Sequence, residues 1–310
     1  MSQKTALLFS GQGAQSVGMG KDLAAEFPVA ADLFRRADEI LGWPLSRIAF
    51  EGPAEELTKT AVCQPALYVH GLACLAVLQE KLPGFTFDAA AGLSLGEFTA
   101  HSAAGTFDFE TGLRLVAKRS TAMQKSCDET EGGMAAVIGA EENNARELAS
   151  AADVDVANLN SPGQIVLSGE SSKIALAVSL AKEYGARKAV ELQVAGAFHS
   201  RLMESAYQSL SEALIDTPIV PPRVPVVCNV DAIPVKDAKS IRRSLADQVT
   251  GSVLWTQSIE YMIDHLHITR FIELGPGGVL AGLVGRIRKG TPVVSISNSA
   301  TLADAIATLG

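Results

Sequence analysis

The sequence predicts an α/β protein in two parts: a large core built on a parallel sheet, and a small unit of β-α-β-β-α-β order inserted within it. Three observations carry this reading. Short apolar runs at residues 6–9 and 89–91 each lead through a Gly-containing turn into a helical pattern, as strands feeding helices do. A self-contained alternation of strand and helix patterns then fills residues 132–192. The core pattern resumes afterwards at residues 224–228 and 271–274, which is what an insertion requires.

In chain order, Ala6-Leu7-Leu8-Phe9 is a short buried strand, closed by the turn Ser10-Gly11-Gln12-Gly13. A helical pattern follows over 19–37, and a long apolar helix over 65–82. Residues 89–91 form a buried strand that runs into Gly92-Leu93-Ser94-Leu95-Gly96, with a helix over 97–104. The inserted unit has an apolar strand at 134–138, a helix at 141–152, strands at 154–157 and 164–167, a helix at 171–184 and a strand at 188–192. That order is ferredoxin-like. It places a small domain at 131–196 and leaves 1–130 and 197–310 to the core. The cleft between the two is the expected site.

Charge narrows the function. Against 34 Asp and Glu stand 26 Lys and Arg, a formal net charge of −8, so no basic field is available to gather nucleic acid or an anionic membrane. A single well-placed Arg still suffices to hold an anion in a local pocket. The four cysteines, Cys63, Cys74, Cys127 and Cys228, form no CxxC pair and are expected as free thiols in a reducing compartment. The apolar run at 6–9 is too short for a signal-peptide core, so the chain is expected to start at Met1 and to work in the cytoplasm. The charge-free stretch 60–79 is interrupted by Gln64, Pro65 and His70, which favours a core helix over a membrane span.

The chemistry concentrates at Gly92-Leu93-Ser94-Leu95-Gly96. This is a GxSxG pattern, whose small flanking residues permit the strained strand-to-helix turn that exposes a serine hydroxyl. It makes Ser94 the candidate nucleophile and gives the core an α/β-hydrolase-like cast. The Leu95 amide, at the start of the following helix, points where an oxyanion would form. A serine needs a base, and five histidines are available. His70 lies in the apolar helix and reads as a core residue. His101 is seven residues past Ser94, too far along the helix axis to fold back, and is expected at the surface or behind the site. His265 and His267 have no carboxylate or Cys cluster at ligand spacing and read as a solvated helix end, so no metal site is expected. His199 follows Gly196-Ala197-Phe198 at the junction where the insert returns to the core. It is either the base facing the cleft or a plain loop residue. No Asp or Glu lies near it in sequence to supply an obvious third member, and a backbone or amide carbonyl could orient its imidazole instead.

Six segments, in order, resemble the malonyl-CoA:acyl-carrier-protein transacylase family from Phe9 to about Ile287: Gly11-Gln12-Gly13-Ala14-Gln15, Gln64-Pro65-Ala66, Gly92 through Glu97, Asn158 through Gln164, Ala197-Phe198-His199-Ser200 and Glu273-Leu274-Gly275-Pro276-Gly277. The resemblance implies a Ser94/His199 dyad, with the imidazole oriented by the main-chain carbonyl of Gln248. It implies an oxyanion hole from the amides of Gln12 and Leu95, and Arg119 as the grip on the free carboxylate of a malonyl group. Gln64 and Asn160 become pocket-lining amides, and Phe198 a bulky ring that disfavours an α-methyl branch. Malonyl-CoA would be the substrate, acyl carrier protein a transient partner, fatty-acid elongation the purpose, and no cofactor would be bound. The family also implies a monomer. Leu93 departs from the family's usual His, which bears on fine tuning rather than on base or nucleophile. Arg187, Lys188, Arg286, Arg288 and Lys289 are candidate contacts for an acidic carrier protein. The rival readings are a serine esterase or thioesterase with His265 or His267 as base, an acyltransferase serving a polyketide pathway, and a binding scaffold without turnover.

Overall fold

The computed structural model describes residues 3–309. Its strands are β1 (Thr5–Phe9), β2 (Ala89–Gly92), β3 (Gly132–Ile138), β4 (Asp155–Ser161), β5 (Gln164–Glu170), β6 (Lys188–Glu191), β7 (Val226–Val227), β8 (Pro234–Val235), β9 (Arg270–Leu274) and β10 (Val293–Ile296). They form a six-stranded sheet ordered β10-β9-β1-β2-β7-β8 and a separate four-stranded sheet ordered β4-β5-β3-β6. Neighbours in the large sheet run parallel from β10 to β7, and only β8 is antiparallel. The small sheet is antiparallel throughout. The chain is therefore a mixed α/β protein with a parallel-containing sheet and a distinct antiparallel one, as its patterns predict.

All five residues of β1 are buried, because helices cover both faces of a parallel sheet and demand an unbroken apolar run rather than alternation. Leu7 pairs with Ala90 of β2 on one side and Ile272 of β9 on the other. Behind this sheet runs the helix Thr60–Lys81. By length and composition it is apolar enough to cross a membrane, yet 83% of its most apolar window is buried inside the fold. A helix that is apolar all round is a core helix when other elements surround it.

Local chemistry moved several boundaries. The helical pattern over 19–37 is two helices, Lys21–Glu26 and Pro28–Leu41, because the residue before Pro28 is held extended and Pro28 then starts a new helix. The long apolar helix begins at Thr60, five residues before the expected Pro65, which sits inside it at the loss of one ladder hydrogen bond. The strand expected over 224–228 pairs only at β7, two residues long.

The small sheet is stitched to the core beside the site. The Val253 amide donates to the Ala157 carbonyl (2.8 Å) and the Leu159 amide to the Val253 carbonyl (2.9 Å). Because β1 and β2 are adjacent and parallel, the turns that follow them emerge together at their carboxyl ends, where open α/β sheets hold ligands. Those turns carry Gln12 and Ser94.

Candidate active site

Ser94 sits on the sharp turn between β2 and the helix Gly96–Ala103, with φ of 54°. The two glycines of the motif make that turn possible. A Cβ on Gly92 would lie 1.9 Å from the Gly96 carbonyl carbon, and one on Gly96 would lie 2.2 Å from the Phe9 carbonyl oxygen. Both obstacles are backbone and cannot swing aside. Gly96→Ala is therefore expected to destabilise the fold by about 3 kcal/mol or more, read as a large fall in melting temperature. A melting point within a degree or two of the parent would contradict this account of the elbow.

The hydroxyl of Ser94 meets His199 Nε2 at 2.8 Å, and His199 Nδ1 meets the Gln248 carbonyl oxygen at 2.8 Å. A carbonyl only accepts, so Nδ1 carries the proton and Nε2 is the free acceptor for the serine O–H. Burial, reinforced by the charge of Arg119, pushes the His199 imidazole down to about 4. It is thus neutral at pH 7 and able to take a proton. The acid limb governed by this base is expected well below the ordinary 6.5 of histidine. Labelling of Ser94 by a fluorophosphonate after brief pH jumps checks this, and a base titrating at 6.5 would contradict it. Stability moves in the same direction: below 6.5 the unfolded chain takes up a proton that the folded imidazole refuses until about 4, so this group's contribution is lost as pH falls.

Arg119, on the helix Phe109–Glu129, is fully buried. Its Nη1 donates to Gln64 Oε1 (2.6 Å), and its Nη2 donates to Ser94 Oγ (3.0 Å) and to Gln248 Oε1 (2.8 Å). All three partners are neutral, and its buried Nε has none. Burial lowers the guanidinium to about 10, which leaves it charged at pH 7. A desolvated cation without a carboxylate against it is costly, and its planar fork is shaped for one.

The amides of Gln12 and Leu95 make no hydrogen bond among the described residues. Gln12 is held by its side chain, which accepts from Gln64 Nε2 and donates to Thr60 Oγ1, both at 3.2 Å. In front lies a cleft of about 310 Å³ lined by Gln12, Gln64, Ser94, Asn160, Phe198 and His199, among others. Asn160 carries a buried Oδ1 without a partner. Leu95, Arg119 and Gln248 do not line this cleft; they are fully buried behind Ser94, with Arg119 and Gln248 hydrogen-bonded to it. A nucleophile, a neutral base, two free amides and a buried cation thus converge on one cleft, an arrangement suited to acyl transfer from a substrate bearing an anionic group.

Residues 6–289 match the family model described as acyl transferase domain. The chain is 41% identical over 311 residues to the malonyl CoA-acyl carrier protein transacylase of Bacillus subtilis, covering 99% of this chain and 97% of that protein. It belongs to the malonyl-CoA:acyl-carrier-protein transacylase family. Among solved structures, the acyl-carrier-protein-S-malonyltransferase of Bartonella henselae superposes with a TM-score of 0.94 at 38% identity, covering 99% of this chain and 100% of that one. A malonyl-transacylase solved in complex with its type II polyketide-synthase acyl-carrier protein superposes at 0.93 and 36% identity, covering 99% and 100%.

Of the remaining histidines in this family member, His70 is buried with its ring on the Ser297 carbonyl, and His265 and His267 are exposed, as expected. His101 does not reach the surface: it is fully buried, with Nδ1 on Thr106 Oγ1 at 2.9 Å. Burial removes the surface alternative, because the helix Gly96–Ala103 is covered on nearly every side. Among the described residues no group of three or more His, Cys, Asp or Glu side chains is placed to hold a metal ion. The four cysteines are free and buried. Arg187, Lys188 and Lys289 are exposed, Arg286 bonds Gln164 at the cleft mouth, and Arg288 pairs with Asp264 at the surface.

Two residues in contact with the nucleophile's backbone escaped the sequence reading of this transacylase-family chain. Asn229 accepts from the Ser94 amide at 2.7 Å, and Glu97 accepts from the Asn229 amide at 2.9 Å. Glu97 lies inside the GxSxG-E segment, which was a signal. Asn229 stands alone after a two-residue strand and gave none.

Proposed function

We infer that this acyltransferase moves the malonyl group from malonyl-CoA to the phosphopantetheine thiol of acyl carrier protein, supplying fatty-acid chain elongation. The observation that carries the inference is the buried, neutrally partnered Arg119, 3.0 Å from the Ser94 hydroxyl. His199 Nε2 takes the Ser94 proton as the oxygen attacks the thioester carbon, and the oxyanion rests on the Gln12 and Leu95 amides. The C–S bond breaks, His199 returns its proton to the departing CoA thiolate, and a malonyl-serine ester remains. The carrier thiol then gives its proton to His199 and attacks that ester. The ester C–O bond breaks, Ser94 takes that proton back from His199 and leaves as the alcohol, the malonyl group is released as the carrier thioester, and no bound cofactor takes part. Arg119 holds the malonyl carboxylate throughout, Gln64 and Asn160 supply amides to the pocket, and Phe198 narrows the space beside Cα against a methyl branch, an effect worth roughly 1–3 kcal/mol.

The order β-α-β-β-α-β with strands arranged β4-β5-β3-β6 supports reading 131–196 as a ferredoxin-like insert in an α/β-hydrolase-like core of 1–130 and 197–310. Among the described residues, the burial of the one long apolar helix supports a soluble enzyme, and we place it in the cytoplasm. Arg187, Lys188, Arg286, Arg288 and Lys289 are the proposed contacts for the acidic carrier. A polyketide carrier is the second reading, favoured by the complex of the structural relative with such a partner.

Intact-protein mass after incubation with malonyl-CoA tests the assignment. A malonyl adduct discharged by acyl carrier protein is expected. An adduct lost to water at the same rate with and without carrier would identify a hydrolase instead.

A further inference from the structure

Ser94 and His199 both occupy left-handed backbone, with φ of 54° and 56°. For residues with a Cβ this costs on the order of 1–3 kcal/mol each and persists only where the surroundings over-determine it. The hydrogen bonds that do so converge on one carboxylate. Asn229 takes the Ser94 amide on its Oδ1 (2.7 Å) and donates through Nδ2 to the Gly92 carbonyl (2.9 Å). Gln248 donates through Nε2 to the Ser94 carbonyl (2.9 Å), while its own carbonyl holds His199. Both are then gathered by Glu97 Oε2, which accepts from the Asn229 amide (2.9 Å) and from Gln248 Nε2 (2.7 Å). The far end of the Gln248 amide holds Arg119.

We propose that Glu97 is a positioning residue that keeps the two halves of the Ser94–His199 pair and the Arg119 fork in register, acting through Asn229 and Gln248. Glu97 is fully buried, and among the described residues no cation touches it directly and its Oε1 has no partner. The charged groups facing it are Arg119 and, more weakly, Asp231, and burial lifts its carboxyl to about 7. Such a group is expensive for a fold that needs only volume at that place, and its expense is intelligible as the anchor of two strained residues. It never touches substrate.

This inference rests on the acyl-transfer reading, so its test includes a readout that needs no malonyl group. Glu97→Gln is isosteric, and its amide oxygen in the Oε2 position accepts both hydrogen bonds, whereas Glu97→Ala accepts neither. Glu97→Ala is expected to lower kcat for malonyl transfer on the order of 100-fold, with KM for malonyl-CoA changed less than about threefold. It should slow fluorophosphonate labelling of Ser94 in parallel. Glu97→Gln is expected to recover most of both rates. Asn229→Ala should reproduce the Glu97→Ala defect, and the double variant should be little worse than either alone, since the two act as one unit. If Glu97→Ala fails to fold, the comparison of Glu97→Gln with Asn229→Ala decides by the same criteria. Labelling of Ser94 unaffected in Asn229→Ala and Glu97→Ala, or a Glu97→Gln as slow as the alanine variant, would overturn the proposal. Absence of a malonyl adduct in the parent protein, with labelling intact, would instead overturn the acyl-transfer reading and leave the positioning role of Glu97 standing.

Discussion

Ser94→Ala is expected to eliminate the malonyl adduct and to lower turnover by roughly 10⁵-fold. His199→Ala should fall almost as far, and the double variant hardly further. The reason is geometric. The serine oxygen is a weak nucleophile until its proton has a destination, and among the described residues the acceptor within reach is His199 Nε2 at 2.8 Å, kept neutral by burial and the charge of Arg119, with the Gln248 carbonyl holding the proton on its other nitrogen. Removing either partner removes the same step, so the losses do not add. What survives is binding in the cleft and the Gln12 and Leu95 amides, which stabilise an oxyanion that no longer forms readily. Single-turnover kinetics with malonyl-CoA measure this directly. A His199→Ala protein that still acylates within about tenfold of the parent would exclude the imidazole as base. If His265 or His267 proved essential instead, the hydrolase reading would return, although both are exposed.

The elements that were legible in the sequence are those whose cause is local. The strand at β2 followed by GxSxG announced the elbow because only glycine fits at 92 and 96, and that constraint is written in adjacent residues. The small sheet was legible for the same reason, as each strand and helix within 132–192 carries its own period. His199 was picked out by its position at a junction, but its base role needed the fold, because Gln248 is 49 residues away. Arg119 was indistinguishable from Arg114 in the sequence: both lie on one helix, yet Arg114 pairs with Glu110 in solvent and Arg119 is buried beneath the cleft. The family resemblance selected it; helical periodicity alone did not. Asn229 and the side chain of Gln248 were not legible, since they act by bridging segments more than 130 residues apart. The burial of His101 was not legible for a related reason, as the covering of its helix comes from elements distant in the chain.

Arg119→Ala is expected to cost malonyl transfer on the order of 10³-fold in kcat/KM while leaving acetyl transfer much less affected, so that the preference for malonyl collapses. The guanidinium has no carboxylate of its own to hold; its partners Gln64, Ser94 and Gln248 are neutral. A malonyl carboxylate therefore enters a site already desolvated and positively charged, where the attraction is strongest. Acetyl-CoA offers nothing to that charge and must leave it unpaired, which is the basis of discrimination. Because Arg119 also touches Ser94 Oγ, some loss with acetyl-CoA follows as well, and the ratio of the two donors is the proper measure. Arg119→Lys should not restore it, since a single ammonium cannot span Gln64, Ser94 and Gln248 and still present two parallel donors. A second consequence separates loss of charge from general damage. The charge of Arg119 is one of the two causes that hold His199 down at about 4, so in Arg119→Ala the acid limb of Ser94 labelling should move upward, short of 6.5 because burial persists. An Arg119→Ala protein that keeps both the malonyl preference and the low acid limb would show that the anion is held elsewhere in the cleft, and would remove the observation on which the choice of a malonyl substrate stands.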